Sequence, residues 1–89
     1  MAENLSQEKK MPPSPAPNTI PNYSSILKNC NPDLLYHYLD KYIYVWLRTN
    51  SAFWFYPTVI YENTISGYAW DIFGWHEIKF SLDNLDSFY

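Results

Sequence analysis

Aromatic residues and prolines occupy different parts of this chain, and that division constrains its folding more than any other feature. All 18 aromatic residues (4 Trp, 9 Tyr, 5 Phe) lie between Tyr23 and Tyr89, whereas five of the seven prolines, Pro12, Pro13, Pro15, Pro17 and Pro21, fall within residues 1–22. A polar, proline-rich segment has too little apolar surface to offset the roughly 1–2 kcal/mol per residue that backbone ordering costs. Residues 1–22 are therefore expected to be a disordered Pro-rich tail, and residues 23–89 a single small aromatic-rich domain, because 89 residues leave no room for two cores. One cysteine, Cys30, cannot close a disulfide within the chain or complete a four-ligand zinc site. Ring packing then has to supply the stability, and a reducing compartment is expected.

Within 23–89 the hydrophobic period changes once. Asn31-Pro32-Asp33 reads as a helix start, with Asn31 as N-cap, Pro32 in the first turn and Asp33 at the positive end of the dipole. Leu34, Leu35, Tyr38 and Leu39 follow at helical spacing, which predicts an amphipathic helix over 32–41. A preceding turn at Tyr23–Asn29 is a further expectation. From Tyr42 the period becomes two: Ile43, Val45 and Leu47 alternate with Tyr44, Trp46 and Arg48. Further strands are expected at Ala52–Tyr61, Ile65–Trp70 and Trp75–Leu82, separated by turns at Thr49-Asn50-Ser51, Glu62-Asn63-Thr64 and Asp71–Gly74. Pro57 should bend or bulge its strand, Gly67 should mark a bulge or a close backbone approach, and Gly74 should sit at positive φ. Residues 83–89 suit a helical turn or a short fifth strand. The fold expected is α+β, mainly β: a short helix and then a curved antiparallel meander of four or five strands, as in an SH3-like or Sm-like small barrel.

Catalytic chemistry finds little purchase. His37 and His76 are the two histidines; His37 sits between Tyr36 and Tyr38, while His76 and Glu77 point to opposite faces of a strand and cannot cooperate directly. Cys30 has no neighbouring base, Asp83 and Asp86 suit capping, and two glycines are too few for a dinucleotide or phosphate loop. No cofactor, metal site or catalytic set is expected, and an enzyme is disfavoured. Glu3 and Glu8 without an apolar stretch argue against a signal peptide, and the longest strongly apolar uncharged run, Thr49–Tyr61, is too short for a membrane span and holds Pro57. Charge is balanced over 1–22, +1 over 23–60 and −4 over 61–89, so a basic stripe that could follow a phosphate backbone is missing.

Surplus aromatic surface is the stronger functional signal. With Ile43, Val45 and Leu47 turned into a core, Tyr42, Tyr44, Trp46 and Arg48 share the opposite face. A two-residue turn at Asn50-Ser51 would add Phe55 and Pro57 to it, by placing Trp46 across from Phe55 and Tyr44 across from Pro57. Monomers seldom expose such a patch, so the N-terminal helix, another protomer or a partner has to cover it. Pro12-Pro13-Ser14-Pro15 contains a P-x-x-P spacing, and extended proline segments dock into grooves lined by Tyr and Trp. The tail could therefore bind a partner, its own domain or a neighbouring copy.

Phe53-Trp54-Phe55-Tyr56-Pro57-Thr58, Ser66-Gly67-Tyr68-Ala69-Trp70, Trp75 and the stretch from Leu82 to Phe88 resemble a group of short uncharacterised proteins of spore-forming Firmicutes, some of which carry a transporter label. The resemblance spans Arg48 to Phe88 and implies no activity, substrate or cofactor. Together these features lead to the expectation of a non-enzymatic protein-interaction or structural protein, cytoplasmic or spore-associated. A nucleic-acid-binding barrel using exposed aromatics, opposed by the net charge of −3, and a glycan- or peptide-binding module are the alternatives.

Overall fold

Asn31 begins the first regular element as expected: its side-chain oxygen accepts the Asp33 backbone N–H at 3.0 Å, with Pro32 in the first turn. The structure, a computed structural model, describes residues 11–23 and 30–89; the turn expected at Tyr23–Asn29 falls largely outside them. The element is a 3-10 helix over Pro32–Tyr38 rather than an α-helix over 32–41. In a threefold repeat Pro32, Leu35 and Tyr38 share one side, which is why Leu35 is fully buried while Leu34 stays exposed. Leu39 then leaves helical geometry, and Asp40, at φ 64, donates its N–H to the Pro57 carbonyl at 2.7 Å, which ends the helix by tying the chain to the sheet.

Five antiparallel strands follow: β1 (Ile43–Leu47), β2 (Ala52–Tyr61), β3 (Thr64–Asp71), β4 (Gly74–Ser81) and β5 (Leu85–Phe88). β1 to β4 form a meander, and β5 returns beside β1, giving the order β4-β3-β2-β1-β5. Among the described residues the sheet is open, with β4 and β5 at its two ends, so the barrel closure expected from the bent β2 is not present there. The C-terminal segment combines both expected forms. Ser81 Oγ caps a 3-10 turn over Leu82–Asn84 by accepting the Asp83 N–H, and β5 begins directly after it.

One face of the sheet carries the core. Ile43, Val45, Phe55, Ile65, Leu85 and Phe88 are buried there with Leu35 from the helix, and Tyr38 sets its ring edge-on to Phe88 at 5.4 Å. Burying each such side chain contributes roughly 1.5–3 kcal/mol, which a domain of this size needs. The helix thus covers the core side, and the expectation that it shields the Tyr42-Tyr44-Trp46 face is corrected.

Pro57 and Gly67 shape the middle of the sheet. Pro57 pairs with Gly67 and has no N–H to offer the ladder, and the register shifts between Pro57 and Val59. Thr58 compensates by donating its hydroxyl to the Ser66 carbonyl at 3.3 Å. A Cβ on Gly67 would stand 2.3 Å from the Tyr56 carbonyl oxygen and 3.0 Å from the Phe55 ring, so glycine is what lets the two backbones approach here. Phe80 of β4 can then reach over small Gly67 and Ala69 to meet Phe55, ring centroids 5.2 Å apart.

Candidate functional site on the outer sheet face

The loop between β1 and β2 decides which rings share a face. Leu47 N–H bonds to the Ser51 carbonyl and Asn50 lies at φ 72, so the loop holds three residues, Arg48 to Asn50, not the two-residue turn at Asn50-Ser51. The register is therefore Ile43 with Phe55 and Tyr44 with Trp54, an odd shift from the expected pairing, and an odd shift exchanges the faces of β2. Phe55 and Pro57 point into the core and are fully buried, while Trp54 and Tyr56 join Tyr42, Tyr44 and Trp46 outside. β3 and β4 add Tyr68 and the pair Trp70–Trp75 to this outer face.

The outer rings form two connected groups. Trp75 lies 5.0 Å from Trp70 and 5.9 Å from Tyr42, which in turn is 5.1 Å from Tyr56. Nearer β5, Trp54 meets Tyr44 at 5.3 Å, Tyr44 meets Trp46 at 5.2 Å, and Trp46 meets Tyr23 at 5.4 Å. Mostly edge-on and tilted contacts of this kind add roughly 0.5–1.5 kcal/mol each beyond area burial. Tyr44 and Trp46 are as buried as core residues, so β1 is covered on both faces.

What lies over these rings is the segment 11–23. Pro12 is buried. The indole Nε1 of Trp75 donates to the Ser14 carbonyl at 2.8 Å, and the Tyr42 hydroxyl accepts the Ser14 N–H at 3.2 Å and shares a 2.7 Å hydrogen bond with Ser14 Oγ. At the other end Tyr23 donates its hydroxyl to Asp86 Oδ2 at 2.9 Å, beside Trp46. The segment thus runs from the β4 side of the sheet to the β5 side. Of the proline motif, Pro12 is in the interface, while Pro13 and Pro15 face solvent.

Arg48 stands at the rim of this face rather than within it, donating from Nε to the Asp83 carbonyl at 3.0 Å and so fastening the β1–β2 loop to the turn before β5. The ring environment suits neutral groups: burial pushes the Tyr44 hydroxyl pKa above its ordinary 10.0, and burial followed by the charge of Asp40 and the neighbouring Tyr42 does the same for Tyr56. Chemically the face offers flat apolar surface and a few uncharged donors, a combination that suits carbonyl acceptors and compact apolar rings. Elsewhere, His76 Nδ1 lies 3.2 Å from Asp71 Oδ2 at the exposed β3–β4 hairpin, and His37 and Cys30 are exposed. Among the described residues no group of His, Cys, Asp and Glu could hold a metal ion, and no helix is long and apolar enough to cross a membrane.

Sequence reasoning placed Tyr42, Tyr44, Trp46 and Arg48 on one side but missed Trp54, Tyr56, Trp70 and Trp75 as their companions. The available signal was Asn50, a residue type that tolerates the left-handed conformation and so permits a three-residue loop. Ser14 carried no signal of its own. Compared with known proteins, the chain matches no family model, no curated protein and no solved structure, so what it does has to be read from this sheet face.

Proposed function

We propose that the chain is a non-enzymatic protein-interaction module of SH3-like or Sm-like build, whose outer sheet face holds an extended polypeptide segment, either its own or that of another chain. The observation that carries the reading is the seat of Ser14: a buried proline two residues before it, an indole hydrogen bond to its carbonyl and a tyrosine hydroxyl on its N–H. Aromatic rings with spaced donors are how grooves recognise extended proline segments. The order β4-β3-β2-β1-β5, with the last strand returning beside the first, is compatible with a small-barrel relative whose ends have not met. Nucleic-acid binding fits less well, since the net charge is −3 and Trp46 and Tyr44 are buried rather than offered to bases. The resemblance to proteins of spore-forming Firmicutes makes the cytoplasm or spore of such a bacterium the setting we propose.

The test is whether the face takes a segment from outside its own chain. Light scattering across a concentration series reports exchange between copies, and Trp fluorescence reports capture of an added peptide comprising residues 11–23. A protein that stays monomeric at high micromolar concentration and whose fluorescence ignores millimolar peptide would confine the face to its own segment and remove the interaction reading.

A further inference from the structure

The resident segment satisfies the indole donor at the β4 edge of the outer face and not the one on the central strand β2. At the β4 end Trp75 Nε1 has its carbonyl, Ser14 O at 2.8 Å. Toward β5, the segment's Thr19, Pro21 and Asn22 border a cavity of about 300 Å³ whose other walls are Trp54 and Tyr89. Trp54 Nε1 is buried and finds no acceptor among the described residues. A buried N–H without a partner is uncommon, because it loses its bond to water and gains nothing in return. The segment also turns apolar side chains outward, with Met11 57% and Ile20 63% exposed. A segment that leaves a buried donor unpaired and its own apolar groups in solvent is a poor match for the surface it occupies.

Resting on the interaction reading above, we propose that the outer face is built for a proline-rich peptide of another chain, which displaces residues 12–22 and accepts hydrogen bonds from Trp75 and Trp54 together. Polyproline chemistry fits both donors. Each residue presents a carbonyl, none presents a competing N–H, and the rings pack flat on Trp and Tyr. Lengths agree as well: Trp75 on β4 and Trp54 on β2 are two strand spacings, about 10 Å, apart, which about three residues, one turn, of polyproline geometry cover at about 3.1 Å each. The cis segment, tethered through residue 30 to the 3-10 helix, acts as a resident occupant that keeps the rings dry until such a peptide arrives. Satisfying the Trp54 donor should raise affinity roughly tenfold or more over a ligand that reaches Trp75 alone.

The experiment uses the full-length protein, 15N-labelled, and decaproline as the probe. Four tryptophans produce four indole N–H signals, assigned by W54F and W75F. Saturable movement of both the Trp54 and Trp75 signals, together with loss of the Ser14 amide's native position, is the expected result. W54F, checked by thermal melting to retain its fold, should bind decaproline about tenfold more weakly. Movement of Trp75 alone, or equal affinity in W54F, would overturn the two-donor inference while leaving the interaction reading intact. Neither signal moving at millimolar decaproline would overturn the polyproline ligand itself, and the light-scattering and peptide 11–23 measurements then decide separately whether the face binds polypeptide at all.

Discussion

Gly67→Ala isolates the closest backbone approach in the sheet. Gly67 has no need of glycine's conformational freedom, since Gly74 is the glycine found at positive φ. Alanine in its place should therefore help, by roughly 0.4–1 kcal/mol, through the entropy of the unfolded chain. Against that, the new Cβ would stand 2.3 Å from the Tyr56 carbonyl oxygen and 2.8 Å from Pro57 Cα, both backbone atoms that cannot rotate away. Strands β2 and β3 would have to part by about 0.7 Å merely to bring the first contact to 3.0 Å, at the one place where Pro57 already leaves the ladder weak. Overpacking of this kind costs about 1–3 kcal/mol, and a backbone obstacle places it at the upper end. The net loss of about 2–3 kcal/mol corresponds to a fall in Tm of about 10–20 °C for a domain this small. Thermal unfolding followed by circular dichroism or calorimetry measures it directly, and an unchanged or raised Tm would refute the close-approach argument.

The remaining predictions probe other parts of the same structure. Leu35→Ala should cost about 2–5 kcal/mol in a urea titration, whereas Leu34→Ala, one residue earlier and exposed, should cost under about 1 kcal/mol; equal losses would contradict the 3-10 phase of the helix. At the tip of the β3–β4 hairpin Ile72 and Phe73 are 92% and 89% exposed, so Ile72→Ser and Phe73→Ser should each shift stability by no more than about 0.5 kcal/mol, while Phe55→Ala, fully buried, should lose about 3–5 kcal/mol. Tyr44 and Tyr56 hold their protons above 10.0 in the folded chain, so as pH passes 10 the unfolded chain ionises first and stability falls toward the folded values. The urea midpoint should therefore drop as pH rises from 10 to 11, less steeply in Tyr44→Phe; a midpoint as high at pH 11 as at pH 8 would rule this out.

Local chemistry was legible wherever neighbours along the chain settle the outcome. The Asn31 cap, the full extent of β2, the positive φ of Gly74 and the crowding at Gly67 each depend on a few consecutive residues and their steric limits. The helix was misread in its period because Leu34, Leu35, Tyr38 and Leu39 fit a 3.6-residue repeat, whereas a three-residue repeat keeps only Leu35 and Tyr38 of the four on one side, with Pro32. The Asp40 bond to Pro57, 17 positions away, is what selects the shorter form. The two faces of β2 were exchanged because a loop one residue longer changes the pairing by an odd step, and pattern alone does not choose when both faces are aromatic.

By itself, then, the amino-acid order determined that rings and prolines would be separated, that the ring-rich part would be a meander of short strands, and that it would have more aromatic surface than one small core can take up. Those outcomes follow from propensity and period, which act over a handful of residues. Only the tertiary structure decided how the surplus is covered: the helix went to the core side, and the proline segment was laid across Tyr42, Trp75 and Trp46 on the other. Composition counts what a segment can bury on its own, and residues 11–23 can bury little. Their place comes from side chains that lie up to 63 residues away in sequence, as in the Tyr23–Asp86 hydrogen bond, and such partners come within reach only once the sheet has formed.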